Sequence, residues 1–319
     1  MFDKMVFKGV IDARDEAAIV SEWNLMPCTK DGELYYQSSE IWKIEGVFIM
    51  IRGCRIEIKC SIHKLWSKWS GHGLDNSRDC SVADAQQTIM RLFDSLGNID
   101  RQSVRVSYYE VGLNMKMDHS PMEYIRAVFG VGDVGAREMF IDANFEKNRQ
   151  KTTIKNHNIR KVLKIYDKTF EAESKRRTGT EEDILRVETI YKRQGAHYDE
   201  FFDPVFIHKI MRTFYRDWSQ LAFQRIVVAD KGIRASQLDK AKSIIRYGTE
   251  GYLERLKARY NEGAITPRML RDGKEFARDW YKNRDRFRTI ASDMEIEYQH
   301  KLLDKFMLNQ NEMPISAHY

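Results

Sequence analysis

Apolar and polar positions alternate in four stretches of the first two-thirds of the chain: VFIMIRGCRIEIKCSIHKLW, SVRVSYYEVGLNMKM, KVLKIYDKTF and ILRVETIYKR. Successive side chains on a strand point to opposite faces, so alternation with these β-branched residues predicts strands of a half-buried sheet. Between them the pattern changes to helical spacing in SVADAQQTIMRLFDSLG. There Ser81 is placed to cap the start, Ile89, Leu92, Phe93 and Leu96 form one stripe, and Gly97 ends the run. Beyond Asp203 and Pro204 the helical period is continuous, as in SQLDKAKSIIRYG and TPRMLRDGKEFARDWYKNRDRF. The expected architecture is therefore an α+β domain over residues 1–203, an antiparallel sheet with packed helices, followed by a mainly helical domain over 204–319.

Length agrees with two units, since 319 residues exceed the usual size of one core. A hydrophobic content of 42% and only five prolines describe a globular chain rather than a disordered one. No apolar run is long enough to span a bilayer, and the N-terminal stretch carries Asp3 and Asp12 in place of an apolar signal core. A cytoplasmic protein with no membrane partner is expected. Cys28, Cys54, Cys60 and Cys80 lack metal-ligand spacing and read as reduced packing residues.

Charge is unevenly spread. The net charge is +6, yet residues 205–290 hold 20 lysines and arginines against 10 acidic residues, so the remainder is slightly acidic. A basic segment joined to a near-neutral one fits a polyanion held by one part and handled by the other, although a solvated lysine-rich helical face has the same composition.

Sorting the strand faces collects candidate chemistry. In KVLKIYDK, Leu163 and Ile165 oppose Val162, Lys164, Tyr166 and Lys168; in ILRVETIY, Leu185 and Val187 oppose Ile184, Arg186, Glu188 and Ile190. If the two strands pair with their apolar faces in the core, a phenol, cations and a carboxylate share the other face. Glu110, opposite Tyr109 and Val111, brings a second carboxylate to the same region, and Gly112 leaves space beside it. Two hard oxygen ligands suit Mg²⁺ or Mn²⁺, and a tyrosine beside such an ion is equipped to attack phosphorus. On spacing alone, a tyrosine on a merely polar sheet face is the alternative.

KVLKIYDK followed by LRVE resembles the paired strand motifs of rolling-circle replication initiators of the gene II phage and plasmid type, with staphylococcal plasmid initiators more distant. RIEIKCSIHKLWSKWSGHGLDN and VRVSYYEVGLN are similar to upstream segments of the same proteins, so the likeness covers about residues 50–195. It implies an HUH-like fold and a site-specific single-strand endonuclease. Tyr166 would be the nucleophile, assisted by Lys168, with Arg186 steadying phosphate or carboxylate and Glu110 and Glu188 as metal ligands. The histidine pair of the wider HUH superfamily is missing, so carboxylates replace it, or His63 or His157 joins Glu110. Tyr108, Tyr109 and Tyr191 compete for the nucleophile's role.

Lys64, Trp66, Lys68 and Trp69, with Lys164, could stack on bases and meet phosphates, or Trp66 and Trp69 could instead anchor a loop. No GxxxxGK[ST] loop is present, which argues against helicase activity. Origin DNA, single-stranded or as a hairpin, is the expected partner, with a host helicase or a second copy of the chain as further ones. A DNA-binding regulator that keeps the fold without nicking is the alternative, and an RNA- or protein-binding module a third.

Overall fold

The alternating stretches form strands of one large sheet in the computed structural model, which describes residues 2–39, 46–73, 78–97, 99–132, 138–141, 145–153, 160–174 and 182–311. The first part of the chain contributes β1 (Phe2–Val10), α1 (Ala13–Glu22), β2 (Met26–Lys30), β3 (Glu33–Gln37), β4 (Val47–Arg52), β5 (Arg55–Ser61), α2 (Ile62–Trp69) and α3 (Val82–Ser95). The middle contributes β6 (Arg105–Lys116), α4 (Pro121–Ala127), β7 (Val128–Val131), β8 (Glu138–Ile141), α5 (Phe145–Asn148), β9 (Gln150–Thr153), β10 (Lys161–Asp167), α6 (Lys168–Ser174) and β11 (Ile184–His197). These strands, with β12 (Leu221–Phe223) at one edge, run in the order β12, β7, β8, β9, β10, β11, β6, β1, β5, β4, β3, β2.

The pairings are antiparallel and bring distant sequence together at the centre of the sheet. Tyr166 lies opposite Arg186 and Lys164 opposite Glu188, while Glu188 lies opposite Gly112 and Ile190 opposite Glu110. One face of this central region is apolar: Leu163, Ile165, Leu185, Val187, Val111, Leu113 and Met115 are buried in the main core, against which α3 lays Ala85, Ile89, Leu92 and Phe93. Ser81 caps α3 reciprocally with Asp84, a capping box that satisfies donors the first helical turn leaves free.

After β11 come α7 (Tyr198–Phe201), α8 (Pro204–Ser219), β12, β13 (Ile226–Ala229), α9 (Ala235–Asn261), α10 (Pro267–Arg278), α11 (Trp280–Asn283), β14 (Phe287–Ile290) and α12 (Asp293–Asn311). Here the structure departs from the expected division. α8 does begin at Pro204, with Asp203 as its cap, but its Ile207, Ile210, Met211, Phe214 and Trp218 are buried in the same cluster as the sheet. Tyr298, Leu302 and Phe306 of α12 return to that cluster too. A separate small core of Ile244, Tyr252, Leu256, Ile265 and Ala277 holds only the intervening helices, beside the two-stranded ribbon of β13 and β14. The helical unit is thus 226–290, set between two segments of the first core. Among the described residues no helix is long and apolar enough to cross a membrane. Cys60 and Cys80 are buried, and all four cysteines are free thiols.

Candidate active site

The polar face of the central strands holds Lys164 and Tyr166 on β10, Arg186 and Glu188 on β11, and Tyr108, Glu110, Gly112 and Asn114 on β6, because each set alternates with core residues. β1 adds Asp3 by a different route. Phe2, Met5 and Phe7 all point into the core, which strict alternation forbids; a register shift between Phe2 and Met5 supplies the extra residue. The bulge turns Asp3 onto the polar face, a common use of such irregularities.

Oxygens of Asp3, Glu110 and Glu188 lie within 4.8 Å of one another. Gathering three carboxylates, two buried and Glu110 half-buried, is costly unless positive charge compensates. Arg186, 1% exposed, supplies it, donating to Asp3 Oδ2 at 2.7 Å, Asn114 Oδ1 at 2.9 Å and Glu188 Oε2 at 3.3 Å. Burial opposes ionisation of Asp3, but Arg186, with His63 and Lys168, outweighs it and holds the carboxyl well below its ordinary value. Glu110 lacks that partner: burial, then the charges of Glu188 and Asp3, push it up to about 7.

Gly112 leaves room for Arg186 rather than for a ligand. A Cβ at that position would lie 2.7 Å from Arg186 Nη2 and 3.0 Å from Cζ. Since the guanidinium is pinned by three acceptors, Gly112→Ala should destabilise the fold by about 1–3 kcal/mol, as overpacking does. A urea midpoint unchanged from wild type would show that Arg186 can step aside.

The face opens into a cleft of about 570 Å³ whose wall includes Asp3, Glu110, Glu188 and Tyr166. Lys4, Lys59, Lys64 and Lys164 stand around it. The Tyr166 hydroxyl donates to Glu188 Oε2 at 3.2 Å, and Lys164 Nζ lies 4.1 Å from the centre of its ring and 3.9 Å from Glu188 Oε1. Tyr166 lies outside the apolar cluster, yet it is only 5% exposed, and burial raises its phenol well above the ordinary value. Tyr108 is less covered and hydrogen-bonds Glu110 with its hydroxyl. Tyr109 and Tyr191 stack on each other on the core face, their ring centroids 4.6 Å apart.

The remaining expected residues fall in two groups. Lys64 and Lys164 reach the cleft, whereas Trp66 and Trp69 are half-buried against the main core on α2, with the Arg91 guanidinium 4.4 Å from the Trp69 ring centre. The base-stacking platform expected of LWSKWSGHGLDN is therefore, as far as Trp69, a helix whose tryptophans are engaged in packing, residues 74–76 lying outside the described residues, and Lys68 on α2 does not line the cleft. Lys168 does not continue the strand of Tyr166. It opens α6, is 1% exposed, and pairs with Glu171 at 2.5 Å; burial, with Arg186 nearby, pushes its amine down to about 8.

Of the two histidine alternatives, His157 lies outside the described residues. His63 is buried on α2, its Nε2 is 2.7 Å from the Arg78 carbonyl oxygen, and burial pushes it down to about 3. Among the described residues the three-carboxylate group does not include His63. Asp3 is not among the residues that strand alternation places on this face. Its signal was the broken alternation of FDKMVF, in which Phe2 and Met5 are both apolar at an odd separation. No protein-family model matches the chain, and no curated protein matches it.

Proposed function

We propose that the chain is a replication initiator of a phage or plasmid, an HUH-like, metal-dependent endonuclease that nicks one strand of its origin DNA through Tyr166. The observation that carries this reading is the meeting of three carboxylates, a buried phenol and four lysines in one cleft. The lysines suit a polyanionic substrate, and the carboxylates, all hard oxygen donors, fit Mg²⁺ or Mn²⁺. Bound there, such an ion would polarise a phosphate oxygen of the scissile group.

The chain's own residues supply the remaining steps. The Tyr166 phenol gives its proton to Glu188, already its hydrogen-bond acceptor, and its oxygen forms a bond to phosphorus. The P–O3′ bond breaks and the departing 3′ oxygen takes a proton from water. The protein stays joined to the 5′ phosphate, and the free 3′ hydroxyl primes synthesis. A second transfer, in which a 3′ hydroxyl displaces the phenol, rejoins the strand. Lys168 pairs with Glu171, which lines the same cleft, and so offsets the negative charge that this carboxylate would present to phosphate. The reaction belongs in the cytoplasm, with a host helicase or a second copy of the chain as a further partner.

One alternative has an observation behind it. Tyr108 is less covered than Tyr166 and bonded to Glu110, so it could carry the same transfer. Incubating the protein with the supercoiled replicon that encodes it, with Mn²⁺ and with chelator, separates the readings. Metal-dependent nicked circles carrying protein are expected, with the nucleotide mapped by mass spectrometry to the peptide of Tyr166. Attachment at Tyr108 would move the role there. DNA binding without nicking would favour a regulator.

Glu110 makes metal binding depend on pH. Its carboxyl must lose a proton to serve as a ligand, so Mn²⁺ affinity should rise about tenfold per pH unit up to about 7 and level off above it. Without metal the sign is opposite for folding. The folded chain keeps a proton that the unfolded chain releases at 4.5, so this group opposes folding increasingly as pH rises from 4.5 to about 7. Glu110→Gln should therefore abolish Mn²⁺ binding and stabilise the metal-free fold at pH 8 by on the order of 1–3 kcal/mol. Calorimetry and urea unfolding test the two arms; loss of both binding and stability would contradict the assignment.

A further inference from the structure

We infer that residues 226–290 form a separate duplex-DNA-binding unit that presents α10 to the major groove, independently of the cleft on the sheet. The segment holds sixteen lysines and arginines against nine acidic residues. Its architecture places them usefully. α9 is broken at Gly248, whose φ of 73° no helical residue adopts, so its second half begins afresh at residue 249 and ends at Asn261. Five residues, 262–266, then turn the chain into α10, which Thr266 caps and Pro267 starts.

The two helices pack closely because Gly273 has no side chain. A Cβ there would come within 2.5 Å of Leu256 and 2.8 Å of the Tyr252 hydroxyl. Leu270, Gly273, Phe276 and Ala277 thus face the small core, and the opposite side of α10 is open. On that side Arg268, Arg271, Lys274 and Arg278 recur at steps of three, three and four residues, one stripe along the helix. All four are exposed, and among the described residues only Arg278 makes an ion pair, with Asp279 at 3.9 Å. Asp272 and Glu275 are exposed beside the stripe, where carboxylates can accept from cytosine amines. Arg288 on the adjoining ribbon is 79% exposed and within reach of flanking phosphates.

A second helix held across a first by a short turn, with cations along its outer face, has the shape of the elements that enter the major groove. Single-stranded nucleic acid is less well served, because it needs open aromatic platforms. Here Tyr281 is 66% exposed, but Phe276, Trp280 and Phe287 pack on one another, with the Trp280 and Phe287 ring centroids 5.5 Å apart.

The test uses the full-length chain and fluorescein-labelled DNA of random sequence, as a short duplex and as a single strand, with polyglutamate as a competing polyanion. Wild type should prefer the duplex. The triple variant Arg271→Ala, Lys274→Ala, Arg278→Ala should bind it at least about tenfold more weakly, with the slope of log affinity against log salt reduced by roughly 2–3. Its Mn²⁺-dependent cleavage of single-stranded DNA taken from the replicon that encodes it should be unchanged, so loss of duplex binding and failure of the nicking reading are distinguishable. Unaltered duplex affinity and slope would overturn the assignment. Equal weakening towards duplex, single strand and polyglutamate would also overturn it, reducing the surface to a general polyanion patch.

Discussion

Exchanging Arg186 for methionine lowers the stability of the fold by about 3–5 kcal/mol at neutral pH, the expected loss when one partner of a buried ion cluster is removed. Methionine fills most of the volume, so the effect is electrostatic. Asp3, Asn114 and Glu188 each lose a donor, and three carboxylate groups remain together without the guanidinium that joins Asp3 to Glu188. The loss depends on pH with a definite sign. In the wild type the depressed value of Asp3 contributes stability that is full above its ordinary 3.8 and disappears as pH falls through its folded value. In the variant the carboxylates instead hold protons to higher pH, which relieves their repulsion in acid. Wild type and variant therefore converge as pH falls and diverge as it rises. Mn²⁺ should restore part of the loss by replacing the missing charge. Urea unfolding at pH 5 and pH 8, with and without Mn²⁺, reads all three effects. A difference below about 1 kcal/mol, or one that does not change with pH, would mean that Arg186 is not the counterion of the cluster.

The contrast between Arg186 and Asp3 explains what the sequence could and could not reveal. Period-two alternation identifies faces wherever a strand is regular, and β6, β10 and β11 are regular between Tyr108 and Asn114, Lys161 and Asp167, and Ile184 and Tyr191. Glu110, Tyr166, Arg186 and Glu188 could therefore each be put opposite core residues from spacing alone, and on one common face once their strands are taken to pair. Asp3 could not, because its face is set by a bulge that arises from pairing with β6, ninety and more positions away. The depth of the site was also hidden: alternation says which way a side chain points, not whether that side is covered, and the face read as polar is buried at Arg186, Glu188 and Tyr166. Helical spacing has the same weakness. α8 and α9 share a period, but the apolar face of α8 meets the sheet while that of α9 meets α10. The change of pattern at Pro204 is real, yet it marks the start of a helix rather than the end of a core.

Under the proposed nicking reaction, Tyr166→Phe should abolish the covalent adduct and slow nicking by at least roughly a thousandfold, since removing a nucleophile leaves only binding and charge stabilisation. The substitution removes one hydroxyl that donates to Glu188 at 3.2 Å, so stability should change by only about 1 kcal/mol and Mn²⁺ affinity little. That separation matters because Tyr166 lies at 5% exposure beneath Lys164, where a larger change would disturb the packing around it. Its burial also suits the role: a phenol raised well above its ordinary value stays protonated, and so inert, until cationic charge is brought into the cleft beside Glu188. Tyr108→Phe is the control. It removes a hydrogen bond to Glu110 without touching Glu188, and should weaken nicking by no more than about tenfold. Reversed effects would transfer the nucleophile to Tyr108, while full nicking by both variants and by their double would mean that no phosphotyrosine forms at this site and that the carboxylates serve a different reaction.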